Sequence, residues 1–143
     1  MSGLMLETRF RKPQSISTED RRKIIEKIIN YLSQRQEIIF AYLYGSFGRD
    51  EEFFRDIDIA LFVKESILEF DFESDISYEL TIITGQQVEV RVINKAPVSF
   101  QMAVLRAGKF IFSQDEEKRT DFIQYVGKRY IDYSHLREIA IKS

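Results

Sequence analysis

Two short segments of the chain carry residues that could do chemistry together. Gly45 and Ser46 follow the apolar run 38–44, and Asp56 and Asp58 come shortly afterwards, with nine residues between Ser46 and Asp56. Carboxylates at positions i and i+2 of a strand project from one face, so Asp56 and Asp58 can share a metal ion. Magnesium prefers hard oxygen ligands, and two such ions can clamp the attacking and leaving oxygens of a phosphoryl group. The pattern predicts metal-dependent phosphoryl or nucleotidyl transfer.

The Gly-Ser turn and two further residues could complete this site. Gly45 permits close backbone approach and Ser46 offers a hydroxyl and an N–H, so the pair could hold the β- and γ-phosphates of a nucleoside triphosphate. Arg49 is near enough in sequence to assist with phosphate charge or to pair with an acid. Glu89, on the next strand along the chain, could add a third carboxylate and bind the metal that activates the incoming hydroxyl. A Gly-Ser turn or an Asp-x-Asp strand alone is usually structural, whereas their order on predicted strands favours a functional site.

The elements that must position these residues alternate between helices and strands. Hydrophobic periodicity and glycine or serine boundaries predict both types. The predicted helices cover about 18–32, 67–84, 96–107 and 116–141, and the predicted strands cover 38–44, 56–61 and 88–92, with 109–112 as a fourth strand or an edge segment. The connector 47–55 could contain a helical turn, and residues 1–16 read as an extended or partly mobile lead-in. We expect one α/β domain over 1–143, with a small mixed β-sheet packed against helices.

Composition excludes several other classes of protein. Lysine plus arginine number 21 against 23 aspartate plus glutamate, so no strongly basic surface is expected and direct nucleic-acid binding is not predicted. The chain has no cysteine, which excludes disulfides, thiol catalysis and thiolate metal sites, and His135 is its single histidine. No apolar segment approaches the ~20 residues of a membrane span. We therefore expect a soluble, cytoplasmic protein.

The motif segments together resemble a known superfamily. Gly45-Ser46-Phe47-Gly48-Arg49 followed by Asp56-Ile57-Asp58 resembles the signature of the DNA polymerase β-like nucleotidyltransferases. The small size and the tail segments 108–112 and 129–133 look like its minimal nucleotidyltransferase (MNT) branch. The resemblance implies the polymerase β-like palm fold. It also implies phosphate binding by Gly45 and Ser46 and magnesium binding by Asp56, Asp58 and Glu89.

The resemblance further implies a partner and a reaction. Members of the MNT branch are often antitoxins of type VII toxin–antitoxin pairs, which transfer AMP from ATP to a tyrosine of a helical HEPN-family ribonuclease toxin. Two positions depart from the family pattern: Glu89 stands where aspartate is common, and Asp50 stands where glycine is frequent. The resemblance to the MNT branch implies a HEPN toxin encoded by a neighbouring gene as the partner. It also implies ATP as the co-substrate and Mg²⁺ as the cofactor.

Two other functions remain open from the sequence. One is nucleotidyl transfer to a small molecule, such as an aminoglycoside-like acceptor, with a homodimer supplying the missing wall of the cleft. The other is a non-catalytic subunit that binds nucleotide or neutralises its partner by contact. A small-molecule nucleotidyltransferase usually carries a second domain for its acceptor, and this favours a protein acceptor and a homo- or hetero-oligomer.

Overall fold

The computed structural model describes residues 12–65 and 67–142 as alternating helices and strands. In chain order these are α1 (Thr18–Ser33), β1 (Ile38–Tyr44), α2 (Gly45–Gly48), β2 (Ile57–Val63), α3 (Glu69–Thr84), β3 (Val88–Val92), α4 (Val98–Ala107), β4 (Lys109–Ser113) and α5 (Glu116–Lys142). The strands form one sheet in the order β3-β2-β1-β4. Strand β1 runs antiparallel to β2 and β4, while β2 and β3 are parallel. The predicted α/β class with a mixed sheet is confirmed.

Local sequence signals set the boundaries of several elements. Ser17 caps α1 by accepting a hydrogen bond from the Asp20 backbone N–H at 3.0 Å. Gly85 ends α3 in the left-handed conformation, with φ of 71°. Of the predicted lead-in, residues 1–11 lie outside the described residues, whereas Gln14 pairs with Phe54 in an isolated antiparallel bridge. The ends of the four long helices lie within two residues of the predicted ends.

Helices cover both faces of the sheet. On one face, α1 and α3 bury an aliphatic core whose central strand residues include Ile57, Ile59 and Leu61. On the other face, α4 and α5 pack against Ala60 and Tyr42 through Val104, Phe122 and Val126. Within β2, the face that carries Asp58 is polar only at that residue. Beyond it that face is apolar, because Ala60 and Phe62 belong to the second core.

Helix α3 also closes one edge of the sheet through its side chains. The outward backbone N–H groups of β3 donate to α3 in three consecutive rungs: Val88 to Thr81 Oγ1 at 3.1 Å, Val90 to Ser77 Oγ at 3.0 Å and Val92 to Glu73 Oε2 at 2.7 Å. The three acceptors stand four residues apart, so they share one face of the helix. We call this arrangement the α3 ladder. It supplies the hydrogen-bond acceptors that a further strand would otherwise provide.

The last helix, α5, is longer than the surface it covers. Phe122 and Val126 are its buried residues, while Ile131 and Leu136 are largely exposed. Over the described parts of the chain, no helix combines the length and apolarity needed to cross a membrane.

Candidate active site

Strand register brings the predicted acidic residues together. Asp58 in β2 lies beside Glu89 in parallel β3 and opposite Tyr44 in antiparallel β1. Asp56 immediately precedes β2 and is two residues from Asp58, so both carboxylates point to the same face of the sheet. Asp58 and Glu89 therefore lie at one level on neighbouring strands, and Asp56 lies two residues before Asp58. We call Asp56, Asp58 and Glu89 the carboxylate row.

The Gly-Ser turn lies directly against this row. Gly45 has φ of +72°, a conformation that favours glycine. A β-carbon built on Gly45 would overlap the Asp58 Oδ2 atom and lie 3.4 Å from Asp58 Cγ. Gly45 is thus required both by its backbone conformation and by the space that Asp58 occupies.

The connector is shaped by two other residues. A β-carbon on Gly48 would lie 2.7 Å from the Leu43 carbonyl carbon, so α2 packs closely on β1. Asp50, at the position where the family often has glycine, adopts a left-handed φ of 59°. Aspartate tolerates this conformation better than most residues, which explains how the chain keeps the turn without glycine.

The pKas of two carboxylates in the row are raised, as expected for closely spaced negative charges. Burial, followed by the charges of Glu89 and Asp56, raises the pKa of Asp58 to about 6. Burial and the charge of Asp56 also raise the pKa of Glu89 above its ordinary value. Like charges that oppose one another in a half-buried site are stabilised by a bound cation.

The donor set fits magnesium bound together with a nucleotide. Among the described residues, no group of three or more histidine, aspartate or glutamate side chains is arranged so that it could hold a metal ion by itself. Mg²⁺ is ordinarily held by one or two carboxylates, with substrate phosphates and water supplying the other ligands. Asp56 and Asp58 offer such carboxylates, and Gly45 keeps the space beside Asp58 free of a side chain. Glu89 stands beside Asp58 to complete the row.

Ser46 and Arg49 occupy different positions relative to the row. Ser46 is half-buried in α2, directly after Gly45. The Arg49 guanidinium forms an ion pair with Glu51 at 2.7 Å, and its side chain is about half exposed. Arg49 also lines a small cavity of about 120 Å³ that it shares with Tyr44, Gly45 and Phe100. Pairing with an acid, one of the two roles predicted for Arg49, is therefore seen in this structure, with Glu51 as the acid.

Three residues that sequence reasoning did not select also stand beside the row. Tyr44 is opposite Asp58, and its pKa is raised to about 12 by burial and then by the charge of Asp58. The Arg91 guanidinium lies 4.3 Å from the centre of the Phe100 ring, and Phe100 meets the edge of Tyr44 at 5.3 Å. The alternation of β3 could have indicated Arg91, since it stands two residues after Glu89 on the same face. Nothing in the sequence indicated Phe100, because it lies on α4 and is brought to the site only by the tertiary fold.

A larger cavity lies away from the carboxylate row. It has a volume of about 1170 Å³ and is lined by the ends of β2 and β3 and by the first turns of α5, including Lys64, Asn94, Lys118 and Tyr125. Size does not make this cavity the active site, because the acidic cluster and the glycine turn are elsewhere.

Comparison with known families decides the class of this site. Residues 26–117, which include β1, the glycine turn and all three carboxylates, match the family described as Polymerase beta, Nucleotidyltransferase. The chain belongs to this nucleotidyltransferase family. Comparison with curated protein sequences finds no match.

Solved structures show the same fold as this nucleotidyltransferase. A toxin–antitoxin structure with AMP-PNP has a TM-score of 0.70 at 20% identity, covering 82% of this chain and 95% of the other. The MNT antitoxin in complex with a tri-AMPylated HEPN toxin of Shewanella oneidensis gives 0.68 at 20% identity, covering 85% and 96%. The MntA–HepT toxin–antitoxin structure gives 0.62 at 17% identity, covering 88% and 97%. The predicted polymerase β-like fold is confirmed.

Proposed function

We propose that this nucleotidyltransferase is a cytoplasmic, magnesium-dependent adenylyltransferase. It transfers AMP from ATP to a protein hydroxyl, a tyrosine of a cognate HEPN-family toxin, and so acts as the antitoxin of a pair. The observation that supports the proposal is the close approach of Gly45 to Asp58, because a turn beside the carboxylate row is where a phosphate-binding segment is needed. Nucleotidyl transfer requires this juxtaposition, because the triphosphate must be held beside the metal ligands.

Each residue has a defined role in the proposed reaction. Gly45 and Ser46 hold the β- and γ-phosphates, and Arg49 assists with their charge. Asp56, Asp58 and Glu89 would hold magnesium together with the phosphates of the nucleotide. When bound, Mg²⁺ neutralises phosphate charge and promotes ionisation of the attacking hydroxyl.

The reaction forms one bond and breaks one bond. The acceptor oxygen attacks the α-phosphorus of ATP, the bond from that phosphorus to the bridging oxygen breaks, and pyrophosphate leaves. The acceptor proton passes to a carboxylate of the row or to water.

Structural relatives support a protein acceptor. One solved neighbour is an MNT antitoxin bound to a HEPN toxin that carries three AMP groups, and another toxin–antitoxin structure contains AMP-PNP. Because these neighbours share the fold over more than four fifths of this chain, the same class of partner is the strongest candidate for it.

Labelled nucleotide tests the proposal directly. The protein is incubated with the product of its neighbouring gene, Mg²⁺ and ATP labelled in the α-phosphate. We expect label on a tyrosine of the partner, located by mass spectrometry, and loss of labelling with Asp56→Asn combined with Asp58→Asn. The matched control is Asp75→Asn, which changes an exposed acid of α3.

Three outcomes would change the conclusion. Undiminished labelling by the double variant would show the metal assignment to be wrong. Tight binding to the partner without labelling would favour a non-catalytic, contact-based subunit. Labelling of an aminoglycoside-like molecule in place of the partner would favour the small-molecule reaction.

A further inference from the structure

The strand register places Arg91 beside the carboxylate row, two residues further along β3 than Glu89. It follows Glu89 by two residues, so both side chains leave β3 on the face that carries Asp58. Its neighbour on β2 is Ala60. Tyr44 reaches over β2 from the opposite side, and it lies close enough to Arg91 for that cation to act against the rise in the Tyr44 pKa. Arg91 and Tyr44 therefore meet above β2, next to Asp58.

Aromatic contacts hold the guanidinium in this position. Its central carbon is 4.3 Å from the centre of the Phe100 ring, within the range of a cation–π contact. Phe100 is fixed in turn by its edge-to-face contact with Tyr44. Tyr44, Arg91 and Phe100 come from β1, β3 and α4, so three separate elements orient the cation.

Arg91 stands next to the carboxylate row without forming a close ion pair with an acid in the described part of the chain. Between residue 12 and residue 142, Ser66 apart, no ion pair within 4.0 Å joins Arg91 to an acidic side chain. Other arginines of the chain do form such pairs, including Arg22, Arg35 and Arg119. A cation beside a row of carboxylates, held by an aromatic ring and unpaired with an acid, is arranged to receive an anionic group of a ligand.

We propose that Arg91 is a further catalytic residue, whose guanidinium binds a non-bridging oxygen of the α-phosphate during AMP transfer. This inference rests on the proposed function. In the proposed reaction Gly45 and Ser46 hold the β- and γ-phosphates, so the α-phosphate would lie next to them, beside the metal ligands Asp56 and Asp58. Arg91 donates to the α-phosphate oxygen while the acceptor oxygen bonds to phosphorus and pyrophosphate departs, and it neither gains nor loses a proton. A donor fixed before the reaction stabilises charge without the cost of reorganisation.

Arg91→Met tests the role with little change in packing. Methionine keeps an apolar stem against Phe100 and removes the charge and the donors. In steady-state AMP transfer we expect kcat to fall by about 10²- to 10³-fold, the range for loss of one preorganised donor, with the KM for ATP changing only a few-fold. Arg91→Lys should recover part of the loss, because a lysine keeps the charge without the planar fork.

Arg106→Met is the matched control. Arg106 stands on α4 and stacks over Tyr130 at 5.5 Å, so it has the same kind of aromatic contact away from the row. The kcat and KM of the Arg106→Met variant should equal those of the wild type. A kcat for Arg91→Met within about threefold of wild type would overturn the proposal, as would a rise confined to the KM for the acceptor protein.

A second measurement does not depend on turnover. We would record the ³¹P resonance of the α-phosphate in an ATP analogue that cannot be cleaved between the α- and β-phosphates, bound with Mg²⁺. Arg91→Met should move that resonance and leave the γ-phosphate resonance in place. An unmoved α-phosphate resonance overturns the role of Arg91. Absence of AMP transfer by the wild type, by contrast, would refute the proposed function and leave this measurement to decide on Arg91 separately.

Discussion

Gly45 is the residue at which backbone conformation and active-site space coincide. Two glycines of the chain, Gly45 and Gly85, have nearly the same positive φ, of 72° and 71°. They differ in surroundings, because a β-carbon on Gly85 would meet nothing within 4 Å, whereas one on Gly45 would overlap Asp58. The chain thus offers a natural pair for separating strain from function.

Alanine at these two glycines should give different results. Gly85→Ala should lower the free energy of unfolding by about 1–2 kcal/mol, the cost of a left-handed alanine, with AMP transfer retained. Gly45→Ala should cost at least as much and should also displace Asp58, reducing AMP transfer by roughly 100-fold or more. Urea unfolding and the labelling assay measure the two effects. Equal activity in both variants would contradict a functional role for the Gly45–Asp58 contact.

Asp58 should make stability depend on pH in the opposite sense to an ion-paired acid. Its pKa is raised from 3.8 to about 6 in the folded protein, so the folded state binds the proton more tightly than the unfolded chain. The cost of ionising Asp58 is therefore absent below its unfolded pKa of 3.8 and complete above about pH 6.

Replacing this acid should consequently stabilise the protein at neutral pH. With a chelator present, Asp58→Asn should raise the free energy of unfolding at about pH 7.5 by on the order of 1 kcal/mol, after allowance for solvent screening. The gain should vanish near pH 4. Asp75→Asn, in an exposed position on α3, serves as the control. A gain that is equal at both pH values would refute the link to ionisation.

At the residue scale, the sequence predicted the acids better than their neighbours. Asp56 and Asp58 were identified because i and i+2 on a strand share a face in any sheet, whatever its topology. The meeting of Tyr44 with Arg91 depends instead on strand order and register, which local pattern does not specify. Predicting it would have required knowing that β2 lies between β1 and β3.

At the scale of elements, the α3 ladder both holds β3 in position and contributes to the stability of the fold. Ser77 supplies the middle rung, accepting from the Val90 N–H at 3.0 Å. Ser77→Ala should leave that donor without its acceptor and cost about 1–3 kcal/mol. Ser74→Ala, on the exposed side of the same helix, should stay within about 0.5 kcal/mol of wild type.

Hydrogen exchange gives an independent reading of the same change. The Val90 amide should exchange faster in Ser77→Ala than in Ser74→Ala, since both substitutions alter helix propensity equally and only one removes the acceptor. Equal protection in the two variants would show that the rung contributes nothing.

The order of helices and strands could largely be predicted from the sequence. The way the helices cover the two faces of the sheet could not. Periodicity gave the helices and β1 to β3 because each buries a regular face. The segment 109–112 stayed ambiguous between strand and edge, since a short apolar run carries no period. The second apolar core under α4 and α5 was missed because Ala60 and Phe62 share a face with Asp58, and alternation alone marks that face as polar.

For the molecule as a whole, ligand binding should act on unfolding more than on folding. The carboxylate row is assembled from β2 and β3, which are joined by the long crossover through α3, so the complete site forms only with non-local contacts. In the proposed function, ATP with Mg²⁺ binds the assembled site and would stabilise the native state by mass action. Stopped-flow measurements should therefore show slower unfolding with ligand and nearly unchanged folding. A ligand-dependent folding rate would mean that the site is already formed in the transition state.

The α3 ladder also limits how copies of this chain can associate. A sheet that adds strands at both edges can grow without end, as a fibre does, because each added copy presents a new free edge. Here the N–H groups along the outer edge of β3 are taken up by Thr81, Ser77 and Glu73. Growth is left to the edge at β4, and two copies joined edge to edge through β4 would each end in a closed β3. Pairing of this kind stops at a two-fold dimer with a continuous eight-stranded sheet.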